Sequence, residues 1–89
     1  MEIVILDSAY KHGITRESIL FCLLHFRNDI VIDDPPPKRF FAGFDHKGTA
    51  LEIIAIEDEE RNRLVVVHAM KLRKQFQRLL SDGGTYELQ

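Results

Sequence analysis

The chain contains no tryptophan and a single cysteine, Cys22. A lone thiol excludes an internal disulfide framework and suits a reducing compartment. Apolar runs such as 19–24 and 64–67 fall far short of the ~20 residues of a membrane helix. No basic-then-apolar leader opens the sequence, which argues against a secretory signal and makes the cytoplasm the expected location. Gly-x-x-x-x-Gly-Lys, Gly-x-Gly-x-x-Gly and Gly-x-Ser-x-Gly are all missing, so the common nucleotide, dinucleotide and hydrolase signatures are too. The four histidines, His12, His25, His46 and His68, show neither His-Glu-x-x-His nor Cys-x-x-Cys spacing. Metal-free and cofactor-free action is therefore expected. Acid, base and cation chemistry remain, or plain binding.

The 89 residues, 45% of them hydrophobic, fit one domain over 1–89, with a core at about 3–80 and a C-terminal tail at 81–89. Charge is unevenly placed. Residues 61–80 carry Arg61, Arg63, Lys71, Arg73, Lys74 and Arg78 and no acid, whereas residues 1–60 hold twelve acids against six basic residues. A basic lobe on an acidic body can hold a few phosphates, but it makes a broad polyanion groove unfavourable.

Glu2 to Leu6 reads as a strand, and Asp7 or Ser8 can cap one helical turn that Gly13 ends. Lys11 and His12 fall at the end of that turn, where attraction to the helix dipole accounts for their charge without any function. Thr15 is the next cap, and Ile19, Cys22, Leu23 and Phe26 recur at helical spacing, which predicts an amphipathic helix over 16–27 with Cys22 in the core. His25 lies on another face and reads as a surface residue. Ile30 to Ile32 is a brief strand broken by Asp33-Asp34 and three prolines. Asp45-His46-Lys47-Gly48 has the residue order of a type I turn, so strands at about 38–44 and 49–57 should form a hairpin with His46 solvated. Arg63 to Ala69 supplies a third antiparallel strand, with Leu64, Val66, His68 and Met70 on one face and Val65, Val67 and Ala69 on the other. Leu72, Phe76, Leu79 and Leu80 mark the buried stripe of a last helix that Gly83-Gly84 ends, with Arg73, Lys74, Gln77 and Arg78 facing outward. The expected fold is α+β: a central antiparallel meander packed against N-terminal helices and a C-terminal helix.

The densest chemistry lies at the junction from Leu64 to Lys74, where an apolar strand runs through His68 into basic residues. An imidazole there suits general acid or base work at neutral pH, and a core histidine satisfied by one hydrogen bond is the plain alternative. Arg39 is a second phosphate candidate because its planar fork matches two phosphate oxygens, and an ordinary solvated strand arginine is the alternative.

The order Lys11-His12-Gly13-Ile14-Thr15 before a helix, Arg39 with Gly43, Leu51-Glu52-Ile53, Leu64 to Met70, then a basic last helix resembles the small toxins of bacterial type II toxin-antitoxin systems. The likeness is to the BrnT kind, within the wider RelE-like ribonuclease group, over roughly residues 8–80. It implies a compact α+β domain and a ribonuclease that arrests translation. It also implies neutralisation by a cognate antitoxin, with DNA reached only through that partner. By position, Lys11 and His12 match the opening Lys-His pair, Arg39 the strand arginine, and Arg73 with Lys74 the start of the last helix. The chain departs from the pattern in lacking an aromatic opening with Trp and in carrying His68-Ala69-Met70 where an Arg often follows the strand. The resulting expectation is metal-independent RNA cleavage, with His68 or His12 as acid or base and Lys11, Arg39 and Arg73 stabilising phosphate. Lys71, Lys74 and Arg78 would hold RNA. A noncatalytic module docking an acidic partner is the competing expectation, and a small DNA-binding regulator is a third.

Overall fold

A computed structural model describes residues 1–81; the Gly83-Gly84 helix stop and the tail beyond Ser81 lie outside the described residues. Over the described residues the fold is α+β, with five strands, β1 (Glu2–Ile5), β2 (Asn28–Asp33), β3 (Lys38–Phe44), β4 (Ala50–Asp58) and β5 (Arg63–Lys71), in the order β1-β5-β4-β3-β2. β2 to β5 form the expected antiparallel meander. β1 differs: it pairs with β5 in parallel, Val4 opposite Val65, so the sheet is mixed. Among the described residues, no helix is long and apolar enough to cross a membrane.

The α-helix α1 (Arg16–Leu24) starts where Thr15 accepts a hydrogen bond from the Ser18 backbone N–H. It is shorter than the expected 16–27. His25 N–H turns back to the Phe21 and Cys22 carbonyls, and Arg27 N–H donates to the Ala42 carbonyl at 2.8 Å, which draws the chain into β2. The helix lies on one sheet face, where Ile19 and Cys22 pack with Leu51, Ile53, Ala55, Val66 and Ala69 in the larger core. The hairpin turn is anchored to the same helix: Asp45 accepts from the Lys47 and Thr49 backbone N–H groups and from the Ser18 hydroxyl at 3.0 Å.

The opposite face is covered over β3 and β2 by a 3₁₀ helix, Lys74–Leu80, where an α-helix was expected. Its N-cap is Arg73, whose side chain makes no capping bond, and its first turn holds no acid. An uncapped start with cations against the helix dipole does not favour a long α-helix. The expected apolar stripe survives the change: Leu79 is buried, and Leu72, Phe76 and Leu80 pack with Phe40 and Ala42.

One irregularity sets up the site. Ala55 pairs with Val66 and Ile54 with His68, so Val67 is an extra residue in β5. Such a bulge re-aims the side chains beyond it. Leu64 and Val66 face α1, but His68, opposite Ile54, falls on the other face, whereas simple alternation puts all three together. The first 3₁₀ turn, Asp7–Tyr10, is fastened to this point. Its N-cap position is Leu6 rather than Asp7 or Ser8, and the Ser8 hydroxyl instead donates to the Val67 carbonyl at 2.9 Å. Gly13, at φ +78°, ends the turn with its N–H on the Tyr10 carbonyl, a conformation that suits glycine.

Candidate active site

Glu52 is the centre of the junction. It lies in β4 opposite Met70, on the sheet face that the bulge gives to His68, and its side chain is 0% exposed. A buried carboxylate needs partners, and four N–H groups supply them. Arg73 donates from its backbone N at 3.0 Å and its Nε at 3.0 Å to Oε1, and from Nη2 at 2.9 Å to Oε2. His68 Nε2 lies 3.3 Å from Oε2. Burial by itself pushes the Glu52 pKa up, but the Arg73 and His68 hydrogen bonds outweigh it and hold the carboxyl below the usual glutamate range. The same pairing raises the Arg73 guanidinium pKa.

The chemistry left over faces outward. An ionised carboxylate only accepts, so the hydrogen in the His68–Glu52 contact sits on Nε2 and Nδ1 is the nitrogen left to exchange a proton. The His68 side chain is 26% exposed. The His12 ring stands edge-on to it with centroids 5.5 Å apart. Arg73 commits Nε and Nη2 to Glu52 and lies over Phe76 at 5.0 Å, yet its side chain remains 47% exposed, leaving Nη1 for an external anion. Two imidazoles thus adjoin, and Glu52 ties one of them to an exposed guanidinium. A cavity of about 780 Å³ between the Asp34–Pro37 turn and Ile56, Val65 and Glu57 to Glu60 includes none of these groups.

No family model, curated protein or solved structure matches the chain.

The structure brings together His12, His68 and Arg73, three of the five candidate catalytic residues. Lys11 is exposed beside His12. Arg39 is elsewhere. In β3 it pairs with Ala55, which puts it on the α1 face, opposite to His68. Both edges of its fork are taken, Nε donating to Glu57 at 2.7 Å and Nη1 to Asp29 at 2.8 Å, which raises its pKa. Lys71, opposite Leu51, also belongs by register to the α1 face, at the exposed end of β5. Lys74 and Arg78 are exposed on the second 3₁₀ helix. Of the other histidines, His25 stacks at 4.5 Å on Phe21, and His46 lies in the hairpin turn 3.8 Å from Glu17. Among the described residues, no group of three ligand-type side chains is placed to hold a metal.

Glu52 was not among the sequence candidates. Its signal was a single acid within 50–56, a segment otherwise wholly apolar. A charge in such a strand must find a buried partner.

Proposed function

We propose that the protein is a metal-independent endoribonuclease, the toxin of a bacterial type II toxin-antitoxin module. It acts on RNA in the cytoplasm, is opposed by a cognate antitoxin, and meets DNA only through that antitoxin. The observation that carries the reading is the His12–His68 pair, with His68 linked to Arg73 through Glu52. Cleavage through the RNA 2′-hydroxyl needs one base to take its proton, one acid to protonate the leaving 5′-oxygen, and a cation for the charge on the phosphoryl oxygens. Two imidazoles and one guanidinium are that set. Within this mechanism Glu52 is a positioning residue, fixing the His68 ring and the Arg73 fork without touching substrate. Lys11 and Lys74 add positive charge, and salt should weaken the RNA contact.

A second reading is a noncatalytic module that docks an acidic partner on the same cations. It draws on the fact that Glu52 already engages His68 Nε2 and two Arg73 side-chain nitrogens. Induction of the chain in a bacterial host separates the two. Growth arrest with RNA breakdown in the wild type, abolished by His12→Gln or His68→Gln in folded protein, supports the nuclease. Normal growth with intact RNA and soluble, folded wild type supports the module.

A further inference from the structure

The two imidazoles are also arranged to hold a metal ion. His68 donates Nε2–H to Glu52 Oε2 at 3.3 Å, which leaves the lone pair on Nδ1. A carboxylate behind a histidine is the support that metal-ligating imidazoles generally have, because it fixes the tautomer and orients the ring. Glu52 is itself held by three hydrogen bonds from Arg73, so the support is fixed in turn. His12 supplies the second ring. Its centroid is 5.5 Å from that of His68, with the planes at 75°. Zinc–nitrogen bonds of about 2.0–2.1 Å place the centroids of two bound imidazoles about 5–6 Å apart. The rings already stand at the separation of a shared ion, and a turn of the exposed His12 side chain brings one of its nitrogens to it.

The surrounding charges select the kind of ion. Glu52 is already matched by Arg73 at 2.9 Å, and Lys11 adds a positive charge next to His12. These groups offer a dication no net attraction, so only an ion that gains from nitrogen coordination itself can bind. Magnesium and calcium take oxygen ligands and do not qualify, whereas zinc, nickel and copper(II) suit imidazole. Two protein ligands are at hand rather than the three or four of a dedicated centre, and water completes the shell, which makes the ion exchangeable. We infer that His12 and His68 form a reversible seat for a divalent cation of the zinc class, which occupies a lone pair of each ring and so silences both as acid and base. The seat itself is independent of the nuclease reading; its effect on cleavage rests on that reading.

The test titrates zinc chloride, and separately magnesium chloride, into the untagged full chain by calorimetry. Wild type should take up a single zinc ion at this site and no magnesium. His12→Gln, at an exposed position, and His68→Gln should each weaken zinc binding at least about tenfold, and Glu52→Gln, which removes only the support, about 10–100-fold. Folding of each variant is checked by circular dichroism. His25→Gln and His46→Gln should bind as wild type. Four results would overturn the seat: no zinc uptake by folded wild type, equal uptake of magnesium, uptake unaltered in His12→Gln, or uptake lost in His46→Gln, which would place the ion beside Glu17 at the hairpin turn. Cleavage of an oligoribonucleotide should fall as zinc fills the site and return with excess chelator; undiminished cleavage at saturating zinc would overturn the silencing role. Zinc uptake at His12 and His68 by a chain that cuts no RNA even without zinc would uphold the seat and refute the nuclease reading.

Discussion

Replacing Glu52 by Gln keeps size and shape and removes the charge on which Arg73 and His68 converge. Four N–H groups point at the two carboxylate oxygens. The amide retains one oxygen and turns an NH₂ toward a donor, so at least one charge-assisted bond is lost and two donors oppose each other. Such a bond contributes about 1.5–3 kcal/mol. Because Arg73 is half exposed, solvent screens part of the pair, and a value in the lower half of the range, about 2 kcal/mol, is the appropriate expectation. For a domain of this size that lowers Tm by roughly 8–16 °C.

The pH dependence adds a second signature. A folded pKa below the ordinary glutamate value of 4.5 means that this group's stabilisation is fully present above 4.5 and is lost as pH falls through the folded value. The gap between wild type and Glu52→Gln should therefore be wide at neutral pH and close in acid, where the wild-type carboxyl is itself protonated. Thermal and urea unfolding at neutral pH and in a descending acid series carried below the folded Glu52 value measure both, with Glu17→Gln as a control because that side chain is 79% exposed. Coincident neutral-pH melts, or a gap unchanged by acid, would rule out this role for Glu52.

The larger core supplies two more expectations. The Cys22 thiol is raised from 9.0 to about 12 by burial and then by the nearby Asp45 charge. It should resist alkylation in the folded protein at mildly alkaline pH and react only on unfolding; fast native-state labelling would contradict its placement. At Gly43 a Cβ would meet the Phe26 Cα at 2.9 Å and the Cys22 Sγ at 3.2 Å, so Gly43→Ala should destabilise by about 1–3 kcal/mol in urea unfolding. No change would mean that α1 and β3 are not in close contact at this point.

The elements governed by local chemistry were legible in the sequence. The Asp45 to Gly48 turn closes with Gly48 N–H on the Asp45 carbonyl, Thr15 caps α1, and Leu72, Phe76, Leu79 and Leu80 face inward. What escaped depended on non-local pairing. Nothing in Glu2 to Ile5 distinguishes parallel from antiparallel addition, since either buries the same residues. Leu64 to Val67 is apolar on both faces, so alternation offers no marker for the extra residue at Val67, and the side of the sheet taken by His68 could not be read. Arg39 illustrates the same limit: its fork suits phosphate oxygens and carboxylate oxygens equally, and only the fold brings Asp29 and Glu57 to it. His12 approaches His68 alongside the Ser8–Val67 bond, which spans 59 positions of chain.

Cleavage of RNA by His12 and His68 without a metal is the step on which the proposed function stands. Purified full chain would be incubated with an oligoribonucleotide in excess chelator, beside His12→Gln, His68→Gln and an all-2′-deoxy substrate. The expected outcome is cleavage leaving 2′,3′-cyclic phosphate ends, an uncut deoxy substrate, and a rate about 10²–10⁴ lower in each variant. Intact RNA with folded wild-type protein, or cleavage undiminished in both variants, would contradict it.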